Sequence, residues 1–213
     1  MSVQLINSLQ EKTNELRRQH ILDAATEVFS ERGFNRASIR DIATAAGVAD
    51  GTIYNVFENK DALLMALLDA LAIPTDEPSV SPQLLHSDPA LFLKQILEQR
   101  WKAYTPRTMR ILRVAISQAL IDEVVRVKLF EVFIKQALKG AESLVGPLFQ
   151  GGDETVNRLQ TTPRLIVASL IGLNILVLLD DAQDESSHAA MIVPLAEMLW
   201  SGLGKRGDTA LGN

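Results

Sequence analysis

Apolar residues along the chain recur at three- and four-residue intervals almost throughout, which predicts helices and leaves no stretch with the two-residue alternation of a strand. Ile21, Leu22, Ala25, Val28 and Phe29 form the first such stripe, on a helix expected from near Thr13 to Arg32, after a polar and frayed lead-in from Met1 to about Asn14. Gly33 ends that helix and Phe34 turns back onto its core. Ser38 followed by Asp41 has capping-box spacing, so a short helix begins at Ile39 with Ile42, Ala45 and Ala46 on one face. Gly47 occupies the position past its end, where a positive φ favours glycine, and Val48 fills the gap before the next helix, Asp50 to about Val56. Asn59 then caps a helix with an apolar side of Leu63, Leu64, Leu67, Leu68 and Leu71, stopped by Pro74.

The stretch from Pro74 to Asp88, PTDEPSVSPQLLHSD, is rich in Pro, Ser and acid, and reads as a linker. Beyond it, Phe92, Leu93, Ile96, Leu97, Trp101 and Tyr104 share one helical face, and Pro106 opens a helix carrying Met109, Leu112, Ala115, Ile116 and Ala119. A longer helix from about Ile121 to Val145 places Val125, Leu129, Phe133 and Ala137 on a stripe with Phe130 and Ile134 beside it, before Gly146-Pro147 and Gly151-Gly152 break the chain. Leu165 to Leu179 is apolar on nearly every side, so it must be covered all round, partly by its own subunit and partly by another. Ala168 and Gly172 allow close helix approach there. A last helix, about Ser187 to Leu203, carries Met191, Ile192, Leu195, Met198, Leu199 and Trp200, with Pro194 kinking it or marking a late start.

Two short helices across a tight glycine turn, Ser38 to Lys60, make a helix-turn-helix, whose second helix enters a DNA major groove. The run IRDIATAAGVADGTIYNVFENKDALL resembles the DNA-binding signature of the tetracycline-repressor (TetR) family of bacterial regulators, and ILDAATEVFSERGFNRASI resembles that family's first helix and exit turn. The resemblance covers about the first quarter of the chain. It implies a homodimer whose last two helices pair as a four-helix bundle, with an effector site in the C-terminal part. One departure stands out: Ala49 occupies a position commonly serine in the family, where the hydroxyl caps the recognition helix and can meet a phosphate. Asp50 is the candidate replacement cap.

The net charge of −5 qualifies the DNA reading, because a non-specific nucleic-acid coat shows a basic excess. Placement carries the case instead: Arg36, Arg40 and Lys60 flank the motif, while Arg17, Arg18 and His20 read as a solvated helix face rather than as phosphate contacts. There is no cysteine, hence no disulfide or thiolate chemistry, which fits a reducing cytoplasm. The N-terminus lacks a signal-peptide layout, and the longest apolar run falls short of a membrane span. No histidine has metal or acid–base spacing: His20, His86 and His188 are isolated. Asp180, Asp181, Asp184 and Glu185 read as a solvated acidic loop rather than a cation site.

The expected architecture is therefore all-α with about nine helices: a three-helix helix-turn-helix DNA-binding domain over residues 1–60 and a helical effector-binding and dimerisation domain over 61–213. The expected function is a ligand-responsive transcriptional regulator, a cytoplasmic repressor released from double-stranded palindromic operator DNA by a small apolar effector. It is expected to be neither an enzyme nor a membrane protein, with no cofactor or metal. The rival is a helical small-molecule-binding or scaffold protein with a degenerate helix-turn-helix. DNA-contact candidates are Ser38, Arg40, Asp50, Gly51, Thr52, Tyr54, Asn55 and Lys60. Trp101, Tyr104, Met109, Phe130 and Phe133 are expected around the effector, oriented by Gln118 or Asn174, although such a stripe also serves as plain core and Asn174 as an interhelical hydrogen bonder. Ala168, Gly172, Leu176, Leu195 and Leu199 are the expected dimer contacts.

Overall fold

The structure, a computed structural model, describes residues 2–72, 80–81, 83–102, 104–145, 154–179 and 190–204. All regular elements among them are helical. In order they are α1 (Ser2–Arg32), α2 (Ile39–Ala46), α3 (Asp50–Tyr54), α4 (Lys60–Asp69), α5 (Leu84–Ser87), α6 (Pro89–Lys102), α7 (Pro106–Ala119), α8 (Glu123–Leu129) running through a π-helical turn (Phe130–Ile134) into α9 (Lys135–Val145), α10 (Glu154–Leu179) and α11 (Ile192–Gly204). Residues 74–79 and 82 of the expected linker, the glycine breaks near 146–152, His188 and the acidic group at Asp180, Asp181, Asp184 and Glu185 lie outside the described residues, while the rest of that linker is partly structured, with Val80 buried and Leu84–Ser87 helical. No described helix is long and apolar enough to cross a membrane.

The chain divides into two compact units: Met1–Ala72 with Pro106–Val132, and Ile73–Thr105 with Phe133–Asn213. In the first, Ile21, Ala25 and Phe29 of α1, Ile42 of α2, Ile53 of α3 and Leu63, Leu64, Leu67 and Leu68 of α4 are fully buried. Each of the Ile, Leu and Phe side chains contributes about 1.5–3 kcal/mol by its burial. Phe34 folds back as expected, with its ring edge-on to Phe29 at 5.1 Å. Helix α7 packs on α1 and α4, and α8 packs on α4 and α7. The buried face of α7 is Ile111, Leu112, Val114, Ala115 and Gln118. The stripe read from the sequence included Leu112 and Ala115 but missed Ile111 and Val114, because a helix wedged among three others is covered over more than one stripe. Asp23–Arg107 at 2.7 Å and Glu27–Arg110 at 2.8 Å fasten α7 to α1, and Lys128 pairs with Asp69.

In the second unit Leu93 and Leu97 of α6, Ile166 and Leu173 of α10, and Ile192 and Ala196 of α11 form one apolar cluster. Phe92, Ile96 and Val80 form a smaller one. Helix α11 begins at Ile192, so Pro194 sits in its first turn, where a missing N–H costs nothing: the late start rather than a kink. At the other end of the chain, α1 starts at Ser2, about ten residues before the sequence reading placed it. Neither Gly nor Pro interrupts residues 1–32, and Gln, Leu, Glu and Lys are good helix formers, so the buried half of α1 propagates into the exposed half.

Candidate nucleic-acid interface

Helix α2 starts on a reciprocal cap. The Asp41 backbone N–H donates to Ser38 Oγ at 3.2 Å, while the Ser38 hydroxyl and backbone N–H donate to the Asp41 carboxylate at 2.6 and 2.9 Å. Arg32 adds an ion pair at 2.5 Å. The Ser38 hydroxyl, then its backbone N–H, hold the Asp41 carboxyl below its ordinary value of 3.8, with Arg32 adding to the same direction. Gly47 closes the helix at φ 64°, its N–H reaching Thr44 O at 3.2 Å while Val48 N–H reaches Ala43 O at 3.0 Å. That is a Schellman end, and it fixes the angle at which α3 leaves. His20 completes the frame from α1: its Nε2 donates to Ala46 O at 2.8 Å, a bond that only the Nε2–H form can make to a carbonyl.

Helix α3 is held from beneath by Ile53, fully buried, and by Phe57, whose ring carries the Arg18 guanidinium at 4.7 Å. The outer side of α3 presents Gly51, Tyr54 and Asn55, all exposed, with Thr52 half-buried. Tyr54 is 56% exposed, so it does not merely pack. A Cβ at Gly51 would meet nothing within 4 Å, so the backbone there is bare toward solvent. Arg40 is exposed on α2 and makes no ion pair among the described residues. A groove of about 650 Å³ separates the end of α3 from the N-terminal half of α1, with Thr52 and Asn55 on one wall and Glu11, Glu15, Arg17 and Arg18 on the other. Of that second wall the sequence reading left Glu11 in a frayed lead-in and read Arg17 and Arg18 as a solvated helix face. The uninterrupted run of helix formers was the signal.

One expectation is corrected. Asp50 does not replace the missing cap: Ala49 is itself the N-cap of α3, with no side-chain hydrogen bond, and Asp50 follows in the first turn, where its charge complements the exposed N–H groups. Lys60, expected at a phosphate, is engaged within the protein in this DNA-free structure. Its ammonium donates to Phe34 O at 2.9 Å and Ala37 O at 3.0 Å, reaches toward Asn35 O at 3.5 Å, and lies over the Phe34 ring at 4.5 Å. The carbonyls converge there because Gly33, at φ 77°, turns the chain after α1. Asn59 caps α4 as expected, accepting from Ala62 N–H at 2.8 Å.

The effector candidates fall in both units. Trp101, Tyr104, Phe133 and Asn174 belong to the second, where Tyr104 lies 6.1 Å from Trp101 and 6.3 Å edge-on from Phe133. Met109, Gln118 and Phe130 belong to the first: Gln118 is buried, Met109 half-buried and Phe130 half exposed. Of the dimer candidates, Leu176 is 57% exposed, Ala168 is exposed and Gly172 half-buried, whereas Leu195 and Leu199 pack against their own unit's core. Met198 of α11 and Met191 just ahead of it are exposed instead. Leu165, Leu176 and Leu179 of α10 are exposed as well.

Residues 21–67 match the family model described as "Bacterial regulatory proteins, tetR family". The chain is 51% identical over 47 residues to the fatty acid metabolism regulator protein of Bacillus subtilis, covering 22% of this chain and 24% of that one. It is 43% identical over 67 residues to the HTH-type transcriptional regulator TtgR of Pseudomonas putida, covering 32% and 31%. The alignments thus span about a quarter to a third of these relatives' length. Likeness of fold extends further. The fatty acid degradation regulator FadR of Bacillus halodurans superposes with a TM-score of 0.64 at 25% identity, over 86% of this chain and 94% of that one. NalD of Pseudomonas aeruginosa, the secondary repressor of the MexAB-OprM multidrug efflux pump, superposes at 0.60 and 25% identity, over 90% and 95%.

Proposed function

We propose, from the match of residues 21–67 to the tetR family model, that the chain is a homodimeric, ligand-responsive transcriptional regulator. It represses by occupying a palindromic operator and leaves it when a small effector binds. The observation that carries the reading is α3: a short helix locked underneath by Ile53, with Tyr54 and Asn55 bare on its outer side. Residues 1–60 meet DNA, and 61–213 bind effector and pair subunits. Arg40 holds a phosphate, and Ser38, Gly51, Thr52, Tyr54 and Asn55 line the major-groove side. Asp50, next to the backbone, limits binding to the wrong sequence. The cytoplasm is the compartment such a task requires.

A single five-residue reading helix gives little contact, so the chain works as a two-fold dimer with half-sites one helical turn apart, about 34–36 Å. The apolar face of α10 and α11 is the surface a second copy would cover. Trp101, Tyr104 and Phe133 provide an aromatic lining for an apolar effector. Names of the similar proteins, regulators of fatty-acid metabolism and of drug efflux, support an effector of that kind. To release DNA, the effector must favour the dimer with mis-spaced reading helices. A differential of about 1–3 kcal/mol shifts operator affinity roughly 5–150-fold, and operator weakens effector binding by the same factor. Helix α4 is the lever, since it packs on α1 as well as on α7 and α8.

Selection from random duplexes tests the reading. Enrichment of a two-fold symmetric site is the expected outcome. No enrichment, from a well-folded dimer, would leave the helical scaffold protein as the better description.

A further inference from the structure

Arg18 is half-buried on α1 and lays its guanidinium over the Phe57 ring, 4.7 Å from the centroid. Phe57 is only 4% exposed, so the ring is a fixed platform rather than a mobile surface group. A stacked guanidinium spends its flat face on the ring and keeps the N–H groups around its edge for another partner. Arg18 makes no ion pair among the described residues. Its charge is thus held in one place and not neutralised there.

That place is beside the reading helix. Arg17 and Arg18 line the groove of about 650 Å³ whose other wall is Thr52, Asn55 and Val56, at the end of α3. Asn55 is exposed, so a base edge offered to it would bring its sugar–phosphate strand past this opening. Glu11 and Glu15 face the same groove from earlier turns of α1. They repel a second phosphate, so the opening suits one phosphate beside the arginines rather than a continuous track of them. The Lys60 ammonium is meanwhile engaged on the Phe34 and Ala37 carbonyls. The motif's own helices then offer Arg40, and the groove at α3 draws its arginines from α1.

We infer that Arg18 is a phosphate contact of the operator complex, held ready by Phe57, its edge N–H groups taking the backbone phosphate next to the base that Asn55 reads. The inference rests on the regulator reading above and adds to it a contact from outside the helix-turn-helix.

The test is a methylphosphonate scan of a selected operator duplex, one phosphate neutralised at a time in each half-site, titrated with full-length wild type and Arg18→Met. Methionine keeps contact with the Phe57 ring and removes the charge. One position per half-site is expected to cost wild type about tenfold and Arg18→Met nothing. On the unmodified duplex Arg18→Met should bind about tenfold more weakly per half-site, with the slope of log affinity against log salt lower by about one per half-site and base preference unchanged. An arginine that only packs would lower affinity, if at all, with the salt slope and the cost at every phosphate as in wild type. That result overturns the inference. If Arg18→Met fails to fold, Arg18→Gln is scanned in its place, with the same two outcomes. A well-folded wild type that selects no duplex overturns the DNA reading and this contact with it. A selected duplex without an Arg18-dependent phosphate overturns this contact alone.

Discussion

Lys60 offers the sharpest separation between a structural and a DNA-contacting role. Its ammonium spans two carbonyl oxygens at 2.9 and 3.0 Å, a third at 3.5 Å, and the Phe34 ring at 4.5 Å. Hydrogen bonds from a charged donor contribute about 1.5–3 kcal/mol each, and a cation over a ring about 0.5–1 kcal/mol. The group is only partly buried, and water can refill the carbonyls, so the smaller values apply to two bonds rather than three. Lys60→Ala should then cost roughly 2–4 kcal/mol in urea unfolding, and Lys60→Met nearly as much, since it keeps the stem but loses the charge. The turn from α1 to α2 would loosen, and operator affinity would fall through disorder of the motif. The slope of log affinity against log salt should stay as in wild type, because no phosphate contact is lost. Stability within about 0.5 kcal/mol of wild type, with a slope smaller by about one, would show that the ammonium leaves its carbonyls for a phosphate and refute the reasoning.

Gly47→Ala forces a side chain into the left-handed region at φ 64° with no neighbouring clash, so strain alone should cost about 1–2 kcal/mol in the same unfolding assay. Asp41→Asn should weaken the cap of α2 at neutral pH. The folded pKa of Asp41 is lowered, so its stabilisation is present above 3.8 and lost as pH falls through the folded value. Unfolding curves of wild type and Asp41→Asn should therefore converge on the acid side of 3.8 and stay apart at neutral pH. Leu176→Lys puts a charge on the exposed apolar side of α10, and sedimentation should show a dimer for the unmodified protein and a folded monomer for the variant.

The first seventy residues are legible because their local chemistry and their tertiary role agree. Ser38 with Asp41, Gly33, Gly47 and Asn59 each mark a helix end that needs no distant partner, and the structure places a boundary at each. What the sequence hid depends on partners far along the chain. The carbonyls that occupy Lys60 come from Phe34 and Ala37, 26 and 23 residues away, and a lysine at a helix start looks the same whether it faces protein or phosphate. Leu195 and Met198 belong to one apolar run on α11, yet one faces the unit's core and the other solvent, a rotation that only packing sets. The register of α7 was hidden for the same reason. Ala49 shows the converse: its alanine correctly announced an uncapped helix, and the remedy sought in Asp50 was unnecessary because Ile53 anchors α3 from below.

The central claim is that α2, the glycine turn and α3 read DNA, and a salt series on a selected duplex tests it most directly. Wild type, Arg40→Ala and Asn55→Ala would be titrated against that duplex and against variants altered at single base pairs. Arg40→Ala should weaken every duplex alike and lower the salt slope by about one, whereas Asn55→Ala should keep the slope and lose about 1–3 kcal/mol of discrimination at one position in each half-site. If both variants bind every duplex as wild type does, with the same slope, this face of the protein is not the one that meets DNA.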